Sequence, residues 1–254
     1  MSEMLEVRGL VHSFGALRAV DGAGFTVAAG SIAGLIGPNG AGKSTTFDLI
    51  TGRLAPDAGR VLFGGKDVTG WPSERLARQG LVRTFQVPRV FTRMSVWENL
   101  LFAAEQPGEG FWRSLLRPGA LTARERDIAR RAEEVLGFLE LDRVADLPAA
   151  ALSGGQRKLL ELARVLMLQP QLILLDEPTS GVAPALTRKL ADHLATLRGR
   201  GLTLVVVEHD LNLVMSLVDH LVVMHLGRVL IQGDPDLVTE DQRVLDAYLG
   251  GVGV

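Results

Sequence analysis

Near the start of the chain apolar and polar positions alternate, with Leu5, Val7 and Val11 on one side of a period-two pattern. Such alternation predicts a half-buried antiparallel strand. Arg60–Phe63 and Lys66–Val68 flank a Gly64-Gly65 pair, which has the composition of a hairpin turn. Three other runs, Ile32–Ile36, Leu172–Leu175 and Leu202–Val207, are continuously apolar and end in glycine or polar residues. That texture suits parallel strands covered on both faces. The first two are each followed by a turn and then a helical pattern, so βα units and an α/β core are expected.

The pattern changes in the middle of the chain. Glu105–Gly119 is rich in Gly and Pro, whereas Leu121–Leu141 places Ile128, Val135, Leu136 and Leu139 on one helical face. Thr122 and Glu125 have capping-box spacing at the start of that helix. A mostly helical lobe inserted from about residue 88 to about 165 accounts for the change. No internal repeat, heptad array or low-complexity tail is visible, so one functional unit is expected.

Composition narrows the classes. The chain of 254 residues is 47% hydrophobic, enough for one sizeable core. A formal charge of −2 supplies no broad positive field for holding nucleic acid. The absence of cysteine removes disulfides and thiolate metal sites and fits a reducing compartment. Met1-Ser2-Glu3-Met4 lacks a basic-then-apolar leader pattern. Apolar runs such as Leu172–Leu175 fall far short of the roughly 18–20 residues of a membrane helix, so a membrane role requires a partner.

The chemistry begins directly after the first apolar strand. Gly37-Pro38-Asn39-Gly40-Ala41-Gly42-Lys43-Ser44 satisfies the P-loop pattern and precedes a helical stretch from Thr45. Glycines let backbone N–H groups turn inward around a polyphosphate, and the helix start adds positive potential. Lys43 reaches the outer phosphates, and Ser44 can ligate magnesium. The fold expected is therefore a P-loop NTPase (RecA-like) core with an N-terminal antiparallel β subdomain and an inserted helical subdomain.

Leu172–Leu175 leads into Asp176-Glu177-Pro178, placing two acids at the carboxyl end of a buried strand, where open α/β sheets bind ligands. Alternation along a regular strand would point the acids to opposite faces and give them different work. Asp176 would hold magnesium and Glu177 would polarise the attacking water. Ser153-Gly154-Gly155-Gln156 has capping-box spacing before Leu159, Leu160, Leu162, Ala163, Val165 and Leu166. Its paired glycines make it a second candidate anion cradle, which invites a dimer closing on two nucleotides.

The order of these motifs resembles the ABC transporter ATPase family over essentially the whole chain. Gly37–Ser44 looks like Walker A, Gln86 like the Q-loop residue, Leu152–Gln156 like the signature, Leu172–Glu177 like Walker B and His209 like the switch histidine. The resemblance implies one ABC ATPase domain over residues 1–254, with a core of 1–87 and 166–254 and a helical subdomain of 88–165. It implies ATP and Mg2+ as cofactors. Gln86 would sense magnesium and the γ-phosphate, His209 would contact the γ-phosphate, Ser153 and Gly155 would engage nucleotide on the opposite subunit, and Phe14 would lie against adenine. One position departs from the family pattern, since Ala183 stands where the D-loop usually carries aspartate.

Arg83–Phe91, Glu208-His209-Asp210 and Val244–Gly250 narrow the resemblance to ATP-binding subunits of bacterial branched-chain amino acid importers, and the 105–119 insertion to the longer of that system's two ATPases. It implies transmembrane permease subunits, an extracytoplasmic binding protein reached through them, and a second ATP-binding subunit, either a copy or a shorter paralogue. The expected location is the cytoplasmic face of the membrane, and no nucleic-acid partner is expected. Three rivals share parts of the pattern: an ABC-type ATPase acting on other cargo, nucleic acid or ribosomes; a P-loop kinase or GTPase; and a non-catalytic scaffold. Those acting on nucleic acid or ribosomes usually carry coiled-coil insertions, tandem cassettes or basic surfaces, none of which the chain shows, whereas other cargo stays open. Against a kinase or GTPase, the chain lacks an Asn-Lys-x-Asp element, and intact Lys43, Asp176, Glu177 and His209 weigh against a scaffold.

Overall fold

The computed structural model describes residues 2–84, 90–104 and 123–249. The chain divides into two compact units, one of Met1–Arg83, Pro170–Thr179 and Leu194–Val254, the other of Thr84–Gln169 and Ser180–His193. Ser180–His193, which the sequence reading leaves with the α/β core, belongs to the second unit. Gln86, the 105–119 insertion and Thr122 lie outside the described residues.

The first unit holds two sheets. One is antiparallel, in the order β2-β1-β4-β5, from β1 (Glu3–Phe14), β2 (Leu17–Ala28), β4 (Ala58–Phe63) and β5 (Lys66–Asp67). Leu5 and Val7 are buried while Glu3 and Arg8 are exposed, but the register shifts after Val7, so Leu10 is buried and Val11, expected on the core face, is only partly covered. The other sheet has the order β10-β9-β3-β8-β7-β6, from β3 (Ile32–Ile36), β6 (Leu81–Arg83), β7 (Leu172–Asp176), β8 (Thr203–Val207), β9 (His220–His225) and β10 (Arg228–Gly233). Neighbours are parallel from β9 to β6, and only β10 runs antiparallel. Every residue of β3, β7 and β8 is buried, as continuous apolar runs require.

Helix α1 (Lys43–Ile50) follows β3 and contributes Phe47, Leu49 and Ile50 to the core shared by the two sheets. It starts two residues before the helical stretch expected from Thr45. Helix α2 (Ser73–Arg78) precedes β6. Gly34 shows how tightly the central strand is covered, because a Cβ there would stand 3.0 Å from side-chain carbons of both Leu221 and Val214.

The second unit contains α3 (Val96–Ala104), α4 (Ala123–Phe138) and α5 (Gly154–Leu166), with 3-10 turns at Asp142–Val144 and Ala149–Ala151. Helix α4 buries Ala132 and Leu136 and leaves Arg126 and Arg130 exposed. Val135 and Ile128, expected on its buried face, are only partly covered. Helix α6 (Pro184–Gly199) begins in this unit and ends in the first. The chain closes with α7 (Leu211–Leu217), α8 (Pro235–Thr239) and α9 (Gln242–Leu249), all in the first unit. No helix among the described residues is long and apolar enough to cross a membrane.

Candidate functional site

Strand order alone assembles most of the candidate chemistry. β3, β8 and β7 are adjacent, and their carboxyl ends deliver Gly37, His209 and Asp176 with Glu177. The loop from Gly37 to Gly42 is wrapped by backbone from other elements. A Cβ at Gly37 (φ 149°) would lie 2.1 Å from the Met224 carbonyl oxygen, and one at Gly42 (φ 97°) would lie 2.6 Å from that of Ala19. Only glycine fits these two places. Gly40 also has positive φ, but faces open space.

Gly42 is the N-cap of α1 in the left-handed region, and no side chain caps the helix. Lys43 is buried, and its ammonium donates to the carbonyls of Gly37 at 2.7 Å and Pro38 at 3.0 Å. Burial pushes its pKa below the ordinary lysine value, opposed by attraction to Glu177 and Asp176. Ser44 is exposed and Thr45 half-buried in the first turn of α1; Pro38 is half-buried, Asn39 exposed and Ala41 buried.

The two acids part company in an unexpected way. Asp176 is the last residue of β7, and its Oδ2 accepts from Arg83 Nη2 at 2.6 Å. Glu177 does not continue the strand, so alternation of a regular strand is not what separates them. Its φ is +46°, in the left-handed region, although it precedes a proline, which ordinarily drives a residue to extended backbone. Strain of this kind costs on the order of 1–3 kcal/mol and concentrates at functional sites. Glu177 is held there by contacts that include its N–H donating to Val207 O at 2.9 Å and its Oε1 lying 2.6 Å from His209 Nε2. A carboxylate against an imidazole can exchange a proton within hydrogen-bond distance.

Phe14 ends β1 opposite Leu17 and is 51% exposed, with its ring edge-to-face against His12 at 4.7 Å. An exposed aromatic face, held by a neighbour rather than by the core, can stack on a flat ligand. In the second unit, Ser153 and Gln156 form a complete capping box. Ser153 Oγ accepts from Gln156 N–H at 3.2 Å, and Gln156 Oε1 accepts from Ser153 N–H at 3.0 Å. Gly154 is exposed, whereas a Cβ at Gly155 would meet the Leu186 side chain at 2.1 Å.

Three contacts around the site escaped the sequence reading. Arg83 reaches both Asp48 (Nη1 to Oδ1, 2.5 Å) and Asp176, so a cation from the edge strand lies between two acids. Tyr248 of α9 makes a hydrogen bond with the Gly37 backbone; burial raises its phenol pKa and that bond opposes the rise. Glu208, 4% exposed, accepts from Thr179. None has a local signature, because each partner is distant in the sequence.

The oxygen donors Ser44 and Asp176, with the uncapped start of α1 and a buried lysine, fit a polyphosphate and a small hard cation. No cluster of three or more His, Cys, Asp or Glu suited to a metal occurs among the described residues, so such a cation would share its ligands with the phosphates.

The chain is similar to known proteins over nearly its whole length. The ABC transporter family model matches residues 20–180. A probable branched-chain amino acid transport ATP-binding protein LivG of Methanocaldococcus jannaschii is 39% identical over 252 residues, covering 98% of both chains. The high-affinity branched-chain amino acid transport ATP-binding protein BraF of Pseudomonas aeruginosa is 39% identical over 249 residues, covering 97% of this chain and 98% of its own. Among solved structures, a nucleotide-free ATP-binding cassette from an ABC transporter aligns with a TM-score of 0.85 at 38% identity, over 99% of this chain and all of the other. An ATP-binding cassette of an ABC transporter in its ADP conformation gives 0.86 at 39% identity, over 98% of this chain and all of the other.

Proposed function

Because the chain belongs to the ABC transporter family and is one of its ATP-hydrolysing cassettes, we propose that it powers import of branched-chain amino acids from the cytoplasmic face of a membrane. The observation that carries the cargo is the 39% identity, over 98% of both chains, to a transport ATP-binding protein of that class. The transmembrane path and the binding protein belong to other subunits. A shorter paralogue is the expected second ATPase, although two copies of this chain would also complete two sites.

Position supports the following roles. Backbone N–H groups of Gly37–Thr45 and the start of α1 hold the phosphates of ATP, with Lys43 countering their charge. Phe14 supports the adenine. Ser44, Asp176 and Gln86 would hold Mg2+, which when bound neutralises charge on the phosphates and favours departure of ADP. Glu177 orients the attacking water and accepts its proton, while His209, 2.6 Å away, fixes the Glu177 carboxylate and faces the γ-phosphate. Arg83 donates to Oδ2 of Asp176 and so helps fix the carboxylate in place. Ser153, Gly154, Gly155 and Gln156 would close on nucleotide carried by the second subunit.

Phe91 is the contact offered to the membrane subunits. It is 39% exposed, its backbone is clasped by buried Asn99 (Phe91 N–H to Oδ1, 2.9 Å; Nδ2–H to Phe91 O, 3.0 Å), and Phe102 and Arg164 flank its ring. A fixed, part-exposed aromatic suits a docked helix.

The test is reconstitution with candidate permease subunits, binding protein and leucine, isoleucine or valine. Cargo-stimulated ATP turnover is expected, with Glu177→Gln lowering it by about 10²–10⁴-fold while ATP still binds. Phe91→Asp should abolish uptake and spare the isolated subunit's turnover. Uptake of unrelated cargo with no response to the three amino acids would overturn the cargo while leaving the ATPase.

A further inference from the structure

Glu208 is one of the few charged side chains buried in the first unit, and the hydrolytic roles above make no use of it. Its exposure is 4%. Oε1 accepts two hydrogen bonds from Thr179, from the N–H at 2.8 Å and from the hydroxyl at 2.6 Å. Oε2 accepts a third, from the N–H of His209 at 3.2 Å. A carboxylate withdrawn from water is tolerated when hydrogen bonds replace its hydration, and both oxygens here are engaged.

What these donors belong to gives the arrangement meaning. Thr179 lies two residues beyond Glu177, and His209 is the imidazole that meets Glu177 Oε1 at 2.6 Å. The segments leaving β7 and β8 are therefore joined three times: by Glu177 N–H to Val207 O, by Glu177 to His209, and by Glu208 to Thr179. On the far side of His209, Asp210 accepts from Asn212 N–H at 3.0 Å and Leu213 N–H at 3.3 Å, fixing the start of α7. His209 is half-exposed and carries its ring on a backbone pinned before and after. Glu177 sits in left-handed backbone that the surrounding contacts must hold.

We propose that Glu208 is a positioning residue for hydrolysis, clasping Thr179 and the His209 backbone so that the Glu177–His209 pair keeps its geometry. The proposal rests on the roles given above to Glu177 and His209. It makes no demand on nucleotide binding, because the phosphate cradle is built on β3 and α1. Glutamine at this position keeps an oxygen for the two Thr179 donors but turns an NH2 group toward His209 N–H. Glu208→Gln thus breaks the tie to His209 while preserving size and the tie to Thr179. Thr179→Val removes only the hydroxyl donor.

The experiment measures kcat and KM for ATP, ATP affinity by titration and thermal stability for full-length Glu208→Gln, Thr179→Val and the double variant, with Glu177→Gln and His209→Ala alongside. Misplacing a catalytic pair by a fraction of an ångström lowers turnover, so Glu208→Gln is expected to reduce kcat by roughly 10-fold to 100-fold with KM and ATP affinity within about twofold of the original. Thr179→Val should lower kcat by a smaller factor, about two- to fivefold, and the double variant, which loses the hydroxyl tie to Thr179 as well as the tie to His209, should be slower than Glu208→Gln alone. Unchanged kcat in folded Glu208→Gln and Thr179→Val, original turnover in the double variant, or parallel loss of ATP affinity and kcat would each overturn the proposal. If Glu208→Gln fails to fold, Thr179→Val decides alone by its kcat. Original turnover in Glu177→Gln and His209→Ala would remove the catalytic pair itself, and the positioning role with it; full loss in those controls beside unchanged Glu208→Gln removes only the role of Glu208.

Discussion

Helices α1 and α5 both begin at glycine-rich sequence, yet their first turns are finished in opposite ways. At α1 the cap is Gly42 in left-handed backbone with no side-chain bond, so the donors of the first turn are left to face a ligand. At α5 the cap is Ser153, and the capping box with Gln156 satisfies donors within the chain. One start is open for an anion, and the other must exchange internal bonds for external ones before it can serve. The start of α6 is a third case: Ala183 O accepts from Leu186 N–H at 2.9 Å and Thr187 N–H at 3.0 Å, which makes Ala183 the cap, without a polar side chain. An aspartate at this position would stand at the N-cap and could accept from a first-turn N–H, which alanine cannot do.

The difference between the open and closed starts can be broken most strongly at α1. Lys43→Ala removes the buried cation and should weaken ATP binding by about 100-fold or more, measured by titration of the folded variant. Near-original affinity would mean that the backbone donors suffice. Gly155→Ala attacks the closed start, since its Cβ would stand 2.1 Å from the Leu186 side chain. The clash is with the terminal methyl of a side chain that can turn, so a cost of about 1 kcal/mol or less in denaturant unfolding is expected, relieved when the change is made in a Leu186→Ala background and compared with Leu186→Ala alone. Failure of that background to relieve the cost would show that the glycine is needed for something other than space. Ser153→Ala should cost about 1 kcal/mol and lower the melting temperature by about 2–4 °C, with ATP binding by the isolated chain unaltered. Ala183→Asp should act in the opposite direction by a similar or smaller amount, up to about 1 kcal/mol, read as a rise in melting temperature. A lower melting temperature there would show that the acid meets a neighbour that disfavours charge.

How far these features were legible in the sequence depended on how local they are. The P-loop, the apolar strands and the Ser153–Gln156 box are each contained within a few residues, and their spacing carries their geometry. Glu177 illustrates the limit. Its neighbours Asp176 and Pro178 suggested a strand end, but its left-handed backbone is held by Val207 and His209, about thirty residues away. Arg83 met Asp48 and Asp176 only because β6 pairs with β7, a pairing that no periodicity encodes. The membership of Ser180–His193 in the second unit was equally hidden, because it shows in packing such as that of Leu186 beside Gly155, about thirty residues away. Gln86, placed in the site by resemblance, lies outside the described residues.

The position of β3 also bears on how the protein is made. Its parallel partners are β8 and β9, with Ile32 opposite Leu204 and Ala33 opposite His220. About 170 residues must be synthesised after β3 before either partner exists, which at translation speeds of about 5–20 residues per second is a wait of about 10–30 s. Throughout that interval the nascent phosphate loop hangs from an apolar strand with neither neighbour available to pair. The antiparallel β1, β2 and β4 are complete much earlier and can shelter it only from one side. Ribosome-bound chaperones should therefore engage nascent chains between the emergence of β3 and that of β8, and release them as the sheet closes.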